Sequence, residues 1–190
     1  MSDDFFAMPK VTFKYRVRTD GEDICHVSDK EGNPFEWEDV TSEQIFGGKR
    51  VVVFSLPGAF TPTCSTMQVP GFEAIYDEIK EQGIDEVYVI SVNDTFTMRK
   101  WMIDQGVKKI KFIPDGNGEF TRLMGMLVDK SNLGFGMRSW RYAMVVTDGR
   151  VEWFQQEAGR CDNADSDPYE VTKPEEVLEY LKAVKPLMEG

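Results

Sequence analysis

The residues best placed to do chemistry lie in one short stretch, PGAFTPTCS, from Pro57 to Ser65. It follows the β-branched apolar run RVVVFSL and precedes a segment whose apolar residues repeat at helical spacing, so Cys64 is expected in the first turn of a helix. There, unpaired backbone N–H groups and the positive end of the helix dipole favour a thiolate over a neutral thiol. Acidity alone carries such a sulfur only part of the way. A pKa lowered from about 8.5 to about 6 raises the thiolate fraction at pH 7 about thirty-fold, roughly 2 kcal/mol. A fast reaction also needs fixed donors for the charge that develops as a bond to sulfur forms. Thr61, three residues before Cys64, can turn its hydroxyl toward the sulfur, and Pro57 can shield it from bulk water. A guanidinium would stabilise the thiolate, and RSWRYAMVV offers Arg138 and Arg141 just before a predicted strand. Spacing does not choose between them.

The other thiols are weaker candidates. Three cysteines, at 25, 64 and 161, are too few and too scattered for a disulfide framework or a four-ligand zinc site. Cys25 adjoins the single histidine, His26, but strand neighbours face opposite ways, so an inert thiol is the preferred reading there. Cys161 lies in EAGRCDNADSDPYE, where Asp162, Asp165 and Asp167 disfavour a thiolate. It is kept as a candidate resolving thiol, able to condense with a sulfenic acid if its loop folds over Cys64. DGNGE and DNADSD do not have the glycine and distal glutamate of calcium loops at the required spacing, and LGFGMRS lacks the third glycine of a dinucleotide loop. Trp37, Trp101, Trp140 and Trp153 read as core or interface aromatics.

The elements that must position Cys64 form a βαβ series. Strands are predicted at Val11 to Val17, Arg50 to Leu56, Glu86 to Val92 and Ile110 to Ile113. A helix is predicted from Cys64 to Gln82, kinked at Pro70, and another from an Asn93 or Asp94 cap to about Gln105. PDGNGEF is a turn leading into a short helix. Arg141 to Thr147 and Val151 to Gln155 form a hairpin closed by Asp148-Gly149, and a helix over Lys173 to Lys185 ends the series. This pattern is α/β, a mixed central sheet flanked by helices, compatible with the thioredoxin class.

At 190 residues, without repeats or low-complexity linkers, a single domain spanning 1–190 is expected. A net charge of -11 and the lack of a basic run argue against nucleic acid. No apolar segment reaches membrane-spanning length, and the acidic opening MSDDFF is unlike a secretory signal, so a cytoplasmic location is expected. With one histidine, Ser-His and Cys-His hydrolase chemistry starts at a disadvantage.

The pattern P-x-x-x-T-x-x-C, met by Pro57, Thr61 and Cys64, resembles the active-site signature of peroxiredoxins. VVVFSLPGAFTPTCS, VISVNDTF, PDGNGEFTRLMGMLV and LGFGMRSWRYAMVV, in that order, resemble the peroxiredoxin-five, or type II, subfamily in its bacterial form without a fused glutaredoxin domain. The likeness runs from about Pro9 to Leu181. It implies a thioredoxin-like fold and a peroxidase acting on hydrogen peroxide or small organic hydroperoxides. It further implies that Cys64 is the peroxidatic cysteine, Thr61 and Pro57 are its neighbours, and Arg141 is the catalytic arginine, with Arg138 the lesser candidate. Family members generally work without metal or organic cofactor and usually as dimers. The bacterial branch often draws electrons from glutathione and glutaredoxin, with thioredoxin the alternative reductant. This chain departs from the pattern at Gln68, where many relatives carry histidine, and Cys161 does not align securely with their resolving cysteines. The rivals are a dithiol-disulfide oxidoreductase, which lacks its C-x-x-C pair here, and a redox sensor whose Cys64 oxidises without cycling.

Overall fold

In the computed structural model, residues 6–18 and 35–188 are described. Five strands build the central sheet: β3 (Arg50–Ser55), β4 (Glu86–Ser91), β5 (Lys111–Pro114), β8 (Tyr142–Thr147) and β9 (Arg150–Gln156), in the order β5-β4-β3-β8-β9. β3 runs parallel to β4, and β4 to β5, whereas β8 is antiparallel to both β3 and β9. The sheet is therefore mixed. Every residue of β3 is buried, as expected of a strand covered on both faces.

The period-2 alternation of the strands divides the core into two layers. Val52, Phe54, Val87, Val89, Ala143 and Val145 face one cluster, joined by Phe72, Trp101, Val177 and Leu181. Those residues come from α2 (Val69–Ala74), α4 (Thr95–Asp104) and α6 (Pro174–Met188). Val51, Val53, Tyr88, Ile90, Tyr142, Met144 and Val146 face the other layer, with Phe13, Phe46 and Phe120. These three aromatics come from β1 (Thr12–Arg18), α1 (Ser42–Phe46) and α5 (Glu119–Leu123).

Most boundaries agree with the sequence reading to within a residue or two. Asp94 caps α4 through bonds from the Phe96 and Thr97 N–H groups at 2.9 and 3.0 Å. Asp148 and Gly149 both take positive φ, 45° and 71°, the geometry of a tight hairpin turn between β8 and β9.

Three features differ. The helix predicted from Cys64 to Gln82 is broken: a π turn, Cys64–Gln68, leads into α2, and α3 (Tyr76–Lys80) follows a break at Ile75 (φ −104°, ψ 16°). The Val69 N–H reaches back five residues to the Cys64 carbonyl. This wider turn lies directly before Pro70, which has no N–H and whose ring needs room, so the proline starts α2 instead of kinking a continuous helix. Second, β2 (Phe35–Thr41) pairs with β1 as a separate antiparallel ribbon. Its acidic residues Glu36, Glu38 and Asp39 conceal it from a hydrophobic reading. Two short strands, β6 (Leu127–Asp129) and β7 (Met137–Ser139), also pair outside the main sheet. Third, Trp37 is exposed on β2, with Phe96 edge-on at 5.7 Å, whereas Trp101 and Trp140 are core residues. Cys25 and His26 lie outside the described residues.

Candidate active site

The segment between β3 and α2 is anchored at both ends. The Ala59 N–H donates to Asn93 Oδ1 at 3.0 Å, and Ser91 Oγ donates to the same oxygen at 2.6 Å, fixing the loop against the end of β4. Trp101 Nε1 of α4 donates to Ser65 Oγ at 3.0 Å. Phe60, between these anchors, is exposed and held at φ 64°, a left-handed conformation that a non-glycine residue adopts only when its neighbours impose it. The Ser65 N–H already bonds the Thr61 carbonyl at 3.0 Å, so Cys64 stands in the first helical turn, as its spacing predicts.

Cys64 is 0% exposed and belongs to the apolar layer that α2 and α4 cover. An inert interior thiol would share that burial. The difference is a cation beside it: Arg141, only 1% exposed, places Nη1 3.6 Å from Cys64 Sγ. Burial of a guanidinium is expensive unless every side of it is paired. Here Nη1 also donates to Gln68 Oε1, Nε donates to the Pro168 carbonyl at 3.1 Å, and Nη2 donates to Asp167 Oδ2 at 2.6 Å. The Tyr169 ring lies 5.5 Å from the guanidinium carbon. Burial acts to lower the Arg141 pKa, but the Cys64 and Asp167 charges outweigh it and raise it above its ordinary value. The cation is fixed.

The two arginines are thus separated by geometry. Arg138 donates from Nε to the Phe135 carbonyl at 3.0 Å and from Nη1 to the Val92 carbonyl at 2.8 Å, and burial lowers its pKa. Its guanidinium supports the back of the loop near Gly58, where an added Cβ would sit 3.3 Å from Nη1. Pro57, two residues beyond the end of β3, is buried. Thr61 Oγ1 donates to the Gly58 carbonyl at 2.8 Å. Its single proton is thereby committed, leaving the oxygen's lone pairs free to accept. The hydroxyl expected to face the sulfur thus has its proton on the Gly58 carbonyl.

Gln68, one turn after Cys64, is buried, with Nε2 donating to the Ser55 carbonyl at 3.4 Å while Oε1 receives Arg141. Asp167, Pro168 and Tyr169 come from the loop after β9, whose acidic composition gave no hint of this contact. That loop is organised by buried Glu157. Its Oε1 receives the N–H groups of Glu170, Val171 and Thr172 at 2.9, 3.0 and 3.0 Å. Cys161 is exposed on the same loop. Its neighbours are tied elsewhere: Arg160 donates to the Gly125 carbonyl, and Asp162 accepts the Asp129 N–H at 2.8 Å. The acidic motifs have structural roles as well. Asp115 holds the start of α5 through the Phe120 and Thr121 N–H groups at 3.1 and 2.8 Å.

A buried thiol paired with a fixed guanidinium, at the strand-to-helix junction of a thioredoxin-like sheet, defines the class as a thiol-based oxidoreductase. The Redoxin family profile matches residues 28–170. A peroxiredoxin of Rhizobium etli is 55% identical over 177 residues, covering 93% of this chain and 94% of that one. The hybrid peroxiredoxin hyPrx5 of Haemophilus influenzae is 46% identical over 162 residues, 85% of this chain and 66% of its own length. Among solved structures, the Plasmodium falciparum antioxidant protein, a 1-Cys peroxiredoxin, superposes with a TM-score of 0.84 at 39% identity, over 95% of this chain and 99% of that one. The chain belongs to the Redoxin family and is a peroxiredoxin of the type II, or Prx5-like, kind, a thiol peroxidase. Among the described residues, no helix is long and apolar enough to cross a membrane.

Proposed function

We propose that Cys64 is the peroxidatic thiol and that it reduces hydrogen peroxide and small organic hydroperoxides in the cytoplasm, without a resident metal or organic cofactor. The thiolate attacks one peroxide oxygen, an S–O bond forms as the O–O bond breaks, and the departing RO⁻ takes a proton to leave as ROH. Cys64 is left as a sulfenic acid. The observation that carries this reading is the Arg141 Nη1 to Cys64 Sγ distance of 3.6 Å. A charge fixed there stabilises both the thiolate and the anion shed when the bond breaks, without rearrangement at the moment of reaction. Thr61 Oγ1, its proton held by Gly58, accepts the O–H of the incoming peroxide and orients it. Pro57 keeps bulk water from the sulfur.

The sulfenic acid is then resolved by an external thiol. Glutathione condenses with it, releasing water and leaving a mixed disulfide. Glutaredoxin or a second glutathione returns the thiolate, and thioredoxin is the alternative donor. The anchoring of residues 160 and 162 away from the site supports a one-cysteine cycle, with Cys161 outside it. The protein acts as a homodimer. Steady-state peroxide turnover with glutathione and glutaredoxin, and separately with thioredoxin, tests both halves of the scheme. Cys64→Ser is expected to abolish turnover, and turnover equal to the parent's would refute the assignment. Arg141→Ala is expected to lower kcat/KM by roughly 10²–10³-fold, the usual effect of removing a fixed donor from a developing anion.

A further inference from the structure

One guanidinium is shared between two anions on opposite nitrogens. Nη1 faces Cys64 Sγ and Gln68, and Nη2 faces the Asp167 carboxylate at 2.6 Å. Asp167 lies 26 residues beyond Arg141, and its side chain is 38% exposed, so nothing about its own burial requires this pairing. Its loop is held independently by Glu157, which bonds the backbone of residues 170–172. The Asp167 carboxylate is therefore not needed to close the loop. What it does contact is the cation of the active site.

We infer that Asp167 is a positioning residue for the peroxidase reaction: its hydrogen bond fixes the Arg141 guanidinium, and its charge limits how much of that cation's field reaches the Cys64 sulfur. This inference rests on the proposed role of Cys64 and Arg141. The two actions separate by chemistry. An asparagine at position 167 keeps an oxygen acceptor for Nη2 but removes the negative charge, whereas an alanine removes both. Among the described residues, the charged and titratable groups that bear on the sulfur come from a few elements. Cys64 itself is the sole titratable residue of its π turn, Arg141 enters from the residue just before β8, and Asp167 and Tyr169 enter from the loop after β9. Glu157, Glu175 and Lys173, whose Nζ lies 5.9 Å from the ring centre, stand behind Tyr169, and Arg138 stands behind the Gly58 loop.

The test is the pH dependence of the single-turnover reaction with hydrogen peroxide, read for the parent, Asp167→Asn, Asp167→Ala and Arg141→Ala. In both Asp167 variants the midpoint for Cys64 activation is expected to move down by roughly half a unit to one unit, the size of one unit charge removed at this range from a partly screened site. The plateau rate is expected to separate them: Asp167→Asn faster than Asp167→Ala by roughly tenfold, because only the amide still holds the guanidinium. Thermal melts accompany each variant. An unchanged midpoint in both Asp167 variants overturns the inference, as does an Asn variant no faster than the Ala variant. Loss of melting temperature with the midpoint unmoved shows a purely structural residue and overturns it too. If Arg141→Ala reacts like the parent, it is the active-site reading itself that fails.

Discussion

At the scale of single residues, the site is a problem in keeping a buried cation paired while leaving it useful. Arg141 meets it with four hydrogen-bond partners, three of which, Gln68 Oε1, the Pro168 carbonyl and Asp167, have no reacting role. Gln68 carries an amide, which does not titrate. A histidine there would become a second cation against the guanidinium once protonated. Gln68→His is therefore expected to lose peroxidase rate as pH falls below about 6.5, where the parent keeps a profile without that ionisation. The pH dependence of kcat/KM for the two proteins measures this. Gln68→Leu leaves the Ser55 carbonyl and an Arg141 N–H without their partner and is expected to cost about 1–3 kcal/mol in urea unfolding. Cys64, Thr61 and Pro57 were legible because they fall within one loop-to-helix junction, where eight residues fix their relative positions. Spacing left Arg141 and Arg138 level; the family resemblance favoured Arg141, and the geometry sets Arg141, not Arg138, beside the sulfur. Asp167 was read only as an acid disfavouring Cys161, since no local pattern reveals a contact between Arg141 and a loop residue 26 positions later.

At the scale of elements, the strands with alternating or continuous apolar residues were readable, and the polar ribbon strand β2 was not. The broken helix shows why periodicity fails where backbone bonding changes: apolar spacing continues through Cys64–Gln68 while the hydrogen bonds shift from four residues to five. The sheet's far end is held by charge. Arg50 of β3 pairs with Glu152 of β9, both largely buried, and Thr147 and Tyr180 also bond that carboxylate. Burial acts to raise the Glu152 pKa, but Arg50, Thr147 and Tyr180 outweigh it and hold it below the usual carboxylate range. A carboxyl depressed on folding adds stability above its unfolded pKa and loses it as pH falls through the folded one. Glu152→Gln is accordingly expected to lower stability by about 2–3 kcal/mol at pH 7, with the gap to the parent narrowing once pH drops below about 4. Urea titrations at the two pH values follow the difference.

At the scale of the molecule, the two thiols among the described residues sit in opposite settings. Cys64 is enclosed by the apolar layer and the Arg141 cluster, and Cys161 is exposed on a loop tied down on both sides. A bulky maleimide is expected to label Cys161 well before Cys64 in the native protein, as time-resolved peptide mass spectrometry would record. Small peroxides are expected to show the reverse order, because reaction with them depends on the fixed cation more than on exposure. The most direct measurement is dimedone trapping after one equivalent of hydrogen peroxide, with the modified peptide identified by mass spectrometry under non-reducing conditions. The account requires the sulfenic acid adduct on Cys64. An adduct on Cys161 or Cys25 with Cys64 untouched, or a Cys64–Cys161 disulfide formed ahead of trapping, would contradict it.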